Sequence, residues 1–179
     1  MQVHVNLETA RLRIRDYSEA DIAELVPLIG AREVAATTGR IAHPYTEEDA
    51  KKFLATIATD GEVRLAITLR DSGALIGGIG LRLVEVNQQA ELGYWLGVPY
   101  WGKGYATEAA QEMLRYGFED LHLHRIFATH FGHNPASGRV LKKLGMRHEG
   151  CQREHIRKWG QFRDSELYGM LRREWESRG

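Results

Sequence analysis

Residues 90–119 read as a strand, a glycine-bearing loop and a helix in direct succession. Ala90–Val98 has the pattern of a strand, and the loop that follows it carries Gly102 and Gly104. From about Thr107 to Glu119, apolar side chains recur at the spacing of one helical face. The first backbone N–H groups of a helix are free and lie at the positive end of its dipole. The junction therefore predicts an anion-binding loop.

The rest of the chain alternates between strand and helix patterns, which predicts one α+β domain over residues 1–179. Its central sheet is expected to be mixed and mostly antiparallel, with helices on its flanks. The other predicted strands are Arg11–Arg15, Arg64–Arg70, Ala74–Val86 and Arg125–Phe131, with a hairpin from Met146 to Arg173. Further helices are predicted after Ser18, Thr46 and Asn134.

The composition excludes several classes of protein. Lys plus Arg number 24 and Asp plus Glu number 24, so neither nucleic acid nor an anionic membrane is expected as a partner. The single cysteine, Cys151, excludes a disulfide within the chain and a multi-cysteine zinc site. No segment reaches the roughly 18 apolar residues of a membrane helix, and no signal-peptide pattern opens the sequence. We expect a cytoplasmic, reduced protein.

The loop departs from the two best-known phosphate-binding signatures. A Walker loop requires Ser or Thr after its lysine, and here Lys103 is followed by Gly104. A dinucleotide fingerprint requires a third glycine at the position of Thr107. Taken alone, the loop fits a tight turn as well as it fits a ligand site.

Residues 100–109 read Tyr-Trp-Gly-Lys-Gly-Tyr-Ala-Thr-Glu-Ala, and this string resembles the pyrophosphate loop of the GNAT superfamily of N-acetyltransferases, in its RimJ/RimL branch. Gly104 and Ala106 match that loop, whereas Trp101 stands where Gln or Arg is usual. Residues 8–15 and 134–146 also resemble the branch, so the likeness covers nearly the whole chain. It implies a GNAT-like domain whose sheet is splayed at the cofactor cleft.

The resemblance implies acetyl-CoA as the cosubstrate and no metal. It implies that the pantetheine arm pairs with backbone groups of Trp95, Leu96 and Gly97. The backbone N–H groups implied to hold the pyrophosphate are those of Gly102, Lys103, Gly104, Tyr105, Ala106 and Thr107. Asn134 is implied to bond the pantetheine or the thioester region, with Ser137 close to the sulfur.

Amine acetylation requires a neutral nitrogen, a stabilised oxyanion and a leaving thiolate. Glu91 is the candidate base, acting through a water, or else it is an ordinary surface carboxylate. A backbone N–H near Trp95 or Leu96 is the implied oxyanion donor. Many family members carry a tyrosine donor for the thiolate at the position of Leu141, so Ser137 becomes the candidate here, unless its hydroxyl only bonds backbone.

Two further groups of side chains suggest other chemistry. His122, His124, His130 and His133 lie close together in the sequence, but no Asp, Glu or Cys completes a recognisable metal set, and no metal is predicted. Cys151 could carry an acyl group, although a buried thiol without a chemical role is the commoner case.

These patterns predict an acetyl-CoA-dependent N-acetyltransferase that transfers the acetyl group directly in a ternary complex. The acceptor is an amine, either a protein N-terminus such as that of a ribosomal protein or a small molecule. Its pocket is expected around residues 31–45 and the hairpin at Trp159. The alternative is a module that binds acyl-CoA without turnover. The sequence does not determine the oligomeric state, and a homodimer is possible.

Overall fold

The computed structural model describes residues 5–57 and 62–178. Residues 1–4, 58–61 and 179, which the predicted domain includes, lie outside the described residues. The strands are β1 (Asn6–Glu8), β2 (Leu12–Asp16), β3 (Glu62–Leu69), β4 (Leu75–Val84), β5 (Gln89–Leu96), β6 (Arg125–Phe131), β7 (Arg147–Lys158) and β8 (Gln161–Leu171). The α-helices are α1 (Ile22–Ile29), α2 (Arg32–Ala36), α3 (Glu47–Ile57), α4 (Tyr105–Arg115), α5 (Pro135–Lys143) and α6 (Arg172–Glu176).

Within the described ranges these strands form one eight-stranded sheet in the order β1-β2-β3-β4-β5-β6-β8-β7. Neighbouring strands run antiparallel, except β5 and β6, which are parallel. The prediction of an α+β domain with a mixed, mostly antiparallel sheet is confirmed.

Two apolar clusters cover the two faces of the sheet. On one face, α4 and α5 pack through residues such as Met113 and Leu141. On the other face, α1, α2 and α3 pack through residues such as Leu25, Val34 and Ala50. In the part of the chain that the structure describes, no helix is long and apolar enough to cross a membrane.

Two predicted elements agree closely with the structure. The strand Arg125–Phe131 is correct at both ends, and α5 begins directly after Asn134. The long helix was predicted to begin near Thr107 but begins at Tyr105, because Gly104 adopts φ 83° and caps it. It also ends early, at Arg115, and a π-helical turn follows it. The short elements β1 and α2 were not predicted.

The pairing between β5 and β6 is brief. It covers Gln89–Glu91 opposite Arg125–Phe127 and then stops. Beyond that point β6 stays paired with β8 as far as Phe131, and β5 stays paired with β4 as far as Leu96. The sheet is therefore splayed between β5 and β6, as predicted.

Candidate active site

A cleft of about 750 Å³ opens where β5 and β6 diverge, and side chains from both faces of the sheet line it. Ile41 and Phe53 reach it from the α1–α3 face, and Ser137 and Leu141 reach it from α5. The acceptor pocket was expected around residues 31–45 and the hairpin at Trp159. The cleft is lined by residues 37–41 and by Gln152, His155 and Ile156 of the hairpin. Trp159 itself packs against His43 and Arg32.

The backbone of β5 presents alternate residues to the gap. Gly97 N donates to Ile76 O of β4 at 2.9 Å, and in an antiparallel ladder every second residue repeats that orientation. Trp95 therefore faces β4, while Tyr94 and Leu96 turn their backbone groups towards the gap. Gly97 O also accepts from Tyr100 N at 2.9 Å. The amide hydrogen of Gly97 is thus used within the sheet, and the pairing of Gly97 with pantetheine stays a prediction.

Two tryptophans brace this end of β5. The Trp101 indole Nε1 donates to Leu96 O at 2.8 Å, which ties the loop to the strand at the edge of the gap. The Trp95 side chain lies beside the Tyr17 hydroxyl over Gly78, where a Cβ would overlap both. Burial raises the pKa of Tyr17 well above its usual range. The bulky indoles hold β5 in place while its inner edge stays open.

The loop after β5 leads into α4 with its amides free. Gly102 and Gly104 have φ of 74° and 83°, which favour glycine. The first backbone bond of α4 runs from Glu108 N to Gly104 O at 3.1 Å. Hence the N–H groups of residues 105–107 have no acceptor within the helix, and no hydrogen bond from the amides of residues 102–104 occurs within the described ranges. These amides can hold an anion.

Arg11 and Glu108 anchor that loop, a role that the sequence analysis missed. Glu108 accepts from Thr9 Oγ1 at 2.6 Å, from Arg11 N at 2.8 Å and from Arg11 Nε at 2.7 Å. Burial would raise the pKa of Glu108, but these hydrogen bonds outweigh it and the pKa is lowered. Arg11 Nη1 also donates to Lys103 O at 3.0 Å. The loop is thus bound to the hairpin of β1 and β2. The basic side chains of Arg11 and Lys103 lie at this junction.

Glu91 lies at the last position where β5 pairs with β6, at the mouth of the gap. Its Oε2 accepts a hydrogen bond from Arg82 and lies 3.7 Å from Arg40 Nη2. Its Oε1 accepts from Thr129 Oγ1 at 3.2 Å. The carboxylate therefore faces the cleft but is shared among three neighbours. The structure is compatible with either predicted role for it, a base or an ordinary carboxylate.

Asn134 and Ser137 form a local pair at the start of α5. Asn134 Oδ1 accepts from Ser137 N at 3.4 Å and caps the helix, while its Nδ2 donates to Ser137 Oγ at 3.0 Å. Because Asn134 donates, the hydrogen of the Ser137 hydroxyl is free to point elsewhere. Leu141 is buried one helical turn later and lines the same cleft.

The remaining candidates lie apart from this arrangement. Cys151 was expected to be a buried thiol, but it is exposed on β7 and does not line the cleft. Its pKa is raised, chiefly by desolvation and by a hydrogen bond with Glu166. Among the described residues no group of three or more His, Cys, Asp or Glu side chains could hold a metal ion.

Comparisons with known proteins agree with this geometry. Residues 11–147 match the family model described as an acetyltransferase (GNAT) domain. An uncharacterized N-acetyltransferase of Bacillus subtilis (strain 168), YnaD, is 41% identical over 131 residues, which are 73% of this chain and 77% of that protein. The ribosomal protein uS5-alanine N-acetyltransferase of Escherichia coli (strain K12) is 37% identical over 84 residues, covering 47% of this chain and 43% of that protein.

A solved structure is also similar over almost the entire chain. An acetyltransferase of the GNAT family from Bacillus anthracis matches with a TM-score of 0.86 at 30% identity. The match covers 95% of this chain and 100% of that one.

The first prediction concerns Gly104. We expect Gly104→Val to weaken acetyl-CoA binding by about 10-fold or more, because a side chain at that position blocks the approach of an anion to the loop amides. Titration calorimetry on a variant with an unchanged circular dichroism spectrum measures the effect.

Gly73→Val is the matched control. Gly73 has φ 74° in an exposed turn with open space around it, so valine there introduces the same backbone strain away from the loop. That strain costs roughly 1–2 kcal/mol of stability. If both variants bind acetyl-CoA as tightly as the unaltered protein, the loop is a turn and no more.

Proposed function

This chain belongs to the GNAT family of acetyltransferases, and we propose that it passes the acetyl group of acetyl-CoA directly to an amine in a ternary complex. It is an acetyl-CoA-dependent N-acetyltransferase. One observation carries the proposal. The open edge of β5 at Tyr94 and Leu96 leads into the free loop amides, so that one ligand with an extended arm and an anionic group can use both.

The loop and the open edge of β5 bind different parts of acetyl-CoA. The amides of residues 102–107 bind the pyrophosphate, assisted by the N-terminal dipole of α4. Lys103 adds positive charge there, whereas the charge of Arg11 is balanced by Glu108. The pantetheine arm pairs with the C=O of Tyr94 and the N–H of Leu96 in the manner of an added strand. This puts the thioester in the cleft, near Glu91 on one side and Ser137 on the other.

Glu91 is the proposed base for the acceptor. Thr129 is the one described partner of its Oε1, which leaves that oxygen able to accept from a water that takes a proton from the amine. Its other oxygen is held by Arg82 and Arg40, which fix the direction of the carboxylate. The nitrogen lone pair then attacks the thioester carbon.

Two negative charges develop after the attack, first on the oxyanion and then on the thiolate. The backbone of β5 faces the first, and α5 lies beside the second. The N–H of Tyr94 faces the gap farther from the loop than that of Leu96 and is the proposed oxyanion donor, whereas that of Trp95 faces β4. When the intermediate collapses, the C–S bond breaks and its electron pair goes to sulfur. The Ser137 hydroxyl, held by Asn134, lies on that side of the cleft.

Direct transfer is supported by the surroundings of Cys151. Its thiol lies outside the cleft lining, and a raised pKa lowers the thiolate fraction that covalent catalysis needs. A cysteine that carried the acetyl group would have to reach both the thioester and the acceptor.

A protein or peptide α-amine is the acceptor class we propose first. Its ordinary pKa of about 7.7–8.0 leaves roughly a tenth of it neutral at pH 7, whereas a lysine amine near 10.4 is almost entirely protonated there and demands a stronger base than a carboxylate shared with two arginines. The Escherichia coli relative named for the alanine of ribosomal protein uS5 supports this class. A small-molecule amine is the second class.

The experiment that tests this function measures CoA release from acetyl-CoA against a panel of amines. The panel contains peptides with free and blocked N-termini, a lysine side-chain amine and a polyamine. We expect peptides with free N-termini to be acetylated, with intersecting double-reciprocal lines and no acetylated enzyme when acetyl-CoA is supplied alone. Parallel lines with a mass shift that is lost in Cys151→Ala would contradict direct transfer. Tight binding without release for any amine would favour the non-catalytic module.

A second prediction concerns Glu91. Glu91→Gln should lower kcat by about 10-fold or more near neutral pH, where a carboxylate base is ionised, and should change the acidic limb of the profile. Its affinity for acetyl-CoA should stay the same. Glu85→Gln is the control, since Glu85 is an exposed carboxylate just before β5 and outside the cleft lining. A Glu91→Gln profile that overlays the unaltered one would return Glu91 to an ordinary carboxylate.

A further inference from the structure

Buried polar atoms without a partner are concentrated at the cleft. Within residues 5–57 and 62–178, four buried side-chain polar atoms lack a hydrogen bond, on Tyr94, His130, Ser165 and Arg172. The first three of these residues line the cleft. Folded proteins satisfy nearly all such groups, so an unsatisfied set around one cavity marks a place where a bound molecule can supply the missing bonds.

Tyr94 reaches from β5 across the gap towards α5. In the alternation of β5 it shares a face with Leu92 and Leu96, which pack in the core beneath α4 and α5. Its hydroxyl is fully covered and receives no hydrogen bond of normal geometry. Ser137 lies near enough that its hydroxyl affects the pKa of Tyr94. Burial raises the pKa of Tyr94, and hydrogen bonding to Ser137 lowers it by less, so the phenol stays protonated at neutral pH.

We propose that Tyr94 donates the hydrogen bond that stabilises the CoA thiolate as it leaves. The inference deepens the proposed function and rests on it. As the C–S bond breaks, its electron pair goes to sulfur and the O–H of Tyr94 points at the developing charge. The phenol keeps its proton, because an ordinary thiol pKa near 8.5 lies below that of a buried phenol. The thiolate is finally protonated by a proton released from the amine or by solvent.

Ser137 assists Tyr94 from α5. Its hydroxyl accepts from Asn134 Nδ2, which fixes the oxygen on the Tyr94 side of the helix start. A phenol is a much stronger acid than an aliphatic alcohol, so its hydrogen bond to a thiolate is the stronger one. Leu141 closes the same side of the cleft with apolar surface, and a hydrogen bond counts for more where water is excluded.

His130 is the titratable group on the neighbouring strand, and it cannot replace Tyr94 while its ring is neutral. Its Nδ1 lies 2.8 Å from Phe131 O, and a carbonyl only accepts, so Nδ1 carries the hydrogen. Nε2 is then an acceptor without a donor. The charged residues Glu91, Arg82 and Arg40 belong to the opposite face of the sheet. Tyr94 is thus the buried acidic donor on the α5 side.

The test is the pKa of the CoA thiol in the complex, followed by the ultraviolet absorbance of the thiolate, with S-methyl-CoA as the blank. In the unaltered protein we expect this pKa to lie below that of free CoA. Tyr94→Phe should raise it by about one unit, a tenfold change in the ionisation constant, and should lower kcat by about 10- to 100-fold with acetyl-CoA affinity unchanged. The hydroxyl it removes makes no hydrogen bond of normal geometry within the described residues, so the fold should be retained.

Tyr116→Phe is the control. It removes the same phenol oxygen from a tyrosine that lies on the π-helical turn and does not line the cleft. A ring-fluorinated tyrosine at position 94, a more acidic phenol, should shift the thiol pKa downwards. If CoA does not bind the unaltered protein, the proposed function falls and this inference with it. If CoA binds and amines are acetylated, but Tyr94→Phe leaves both the thiol pKa and kcat unchanged, only the role of Tyr94 is overturned.

Discussion

The hydrogen-bond ladder between β5 and β6 stops after Glu91 and Phe127, and the whole site depends on that break. Each strand keeps its outer partner, β4 or β8, so the inner edges diverge without unfolding. Backbone N–H and C=O groups left open in this way need a partner. An extended ligand arm can supply it, in the same way that a peptide adds a strand to a sheet edge.

The other parts of the site follow from where the two strands lead. β5 continues into the loop of Gly102 and Gly104, so the free N–H groups of α4 lie at the end of its open edge. β6 continues into α5, whose Asn134 cap brings Ser137 to the opposite wall. One discontinuity in the sheet thus brings together an anion site, a strand-like groove and a polar helix start. The contacts of Arg11 with Glu108 and Lys103 O prepare the loop before any ligand arrives.

Sequence reasoning found the features that local chemistry determines. The glycine loop and the Asn134 cap each act within a few residues, and both are present in the structure. It missed features that depend on contacts distant in sequence. Arg11 meets Glu108 across 97 positions, and the unsatisfied hydroxyl of Tyr94 becomes visible only when α5 is packed opposite β5. Which amides of β5 face the gap likewise depends on the register of its ladder with β4, which is set by pairing between distant segments.

Amide hydrogen exchange, measured with and without acetyl-CoA, tests the central claim most directly. If the cofactor occupies the gap, the amides of Tyr94, Leu96 and residues 102–107 will exchange more slowly in its presence. The amides of Trp95 and Gly97 face β4 and will change little, which makes them an internal reference on the same strand. Slower exchange of all four strand amides alike, or unchanged exchange at Tyr94, Leu96 and the loop, would contradict the account.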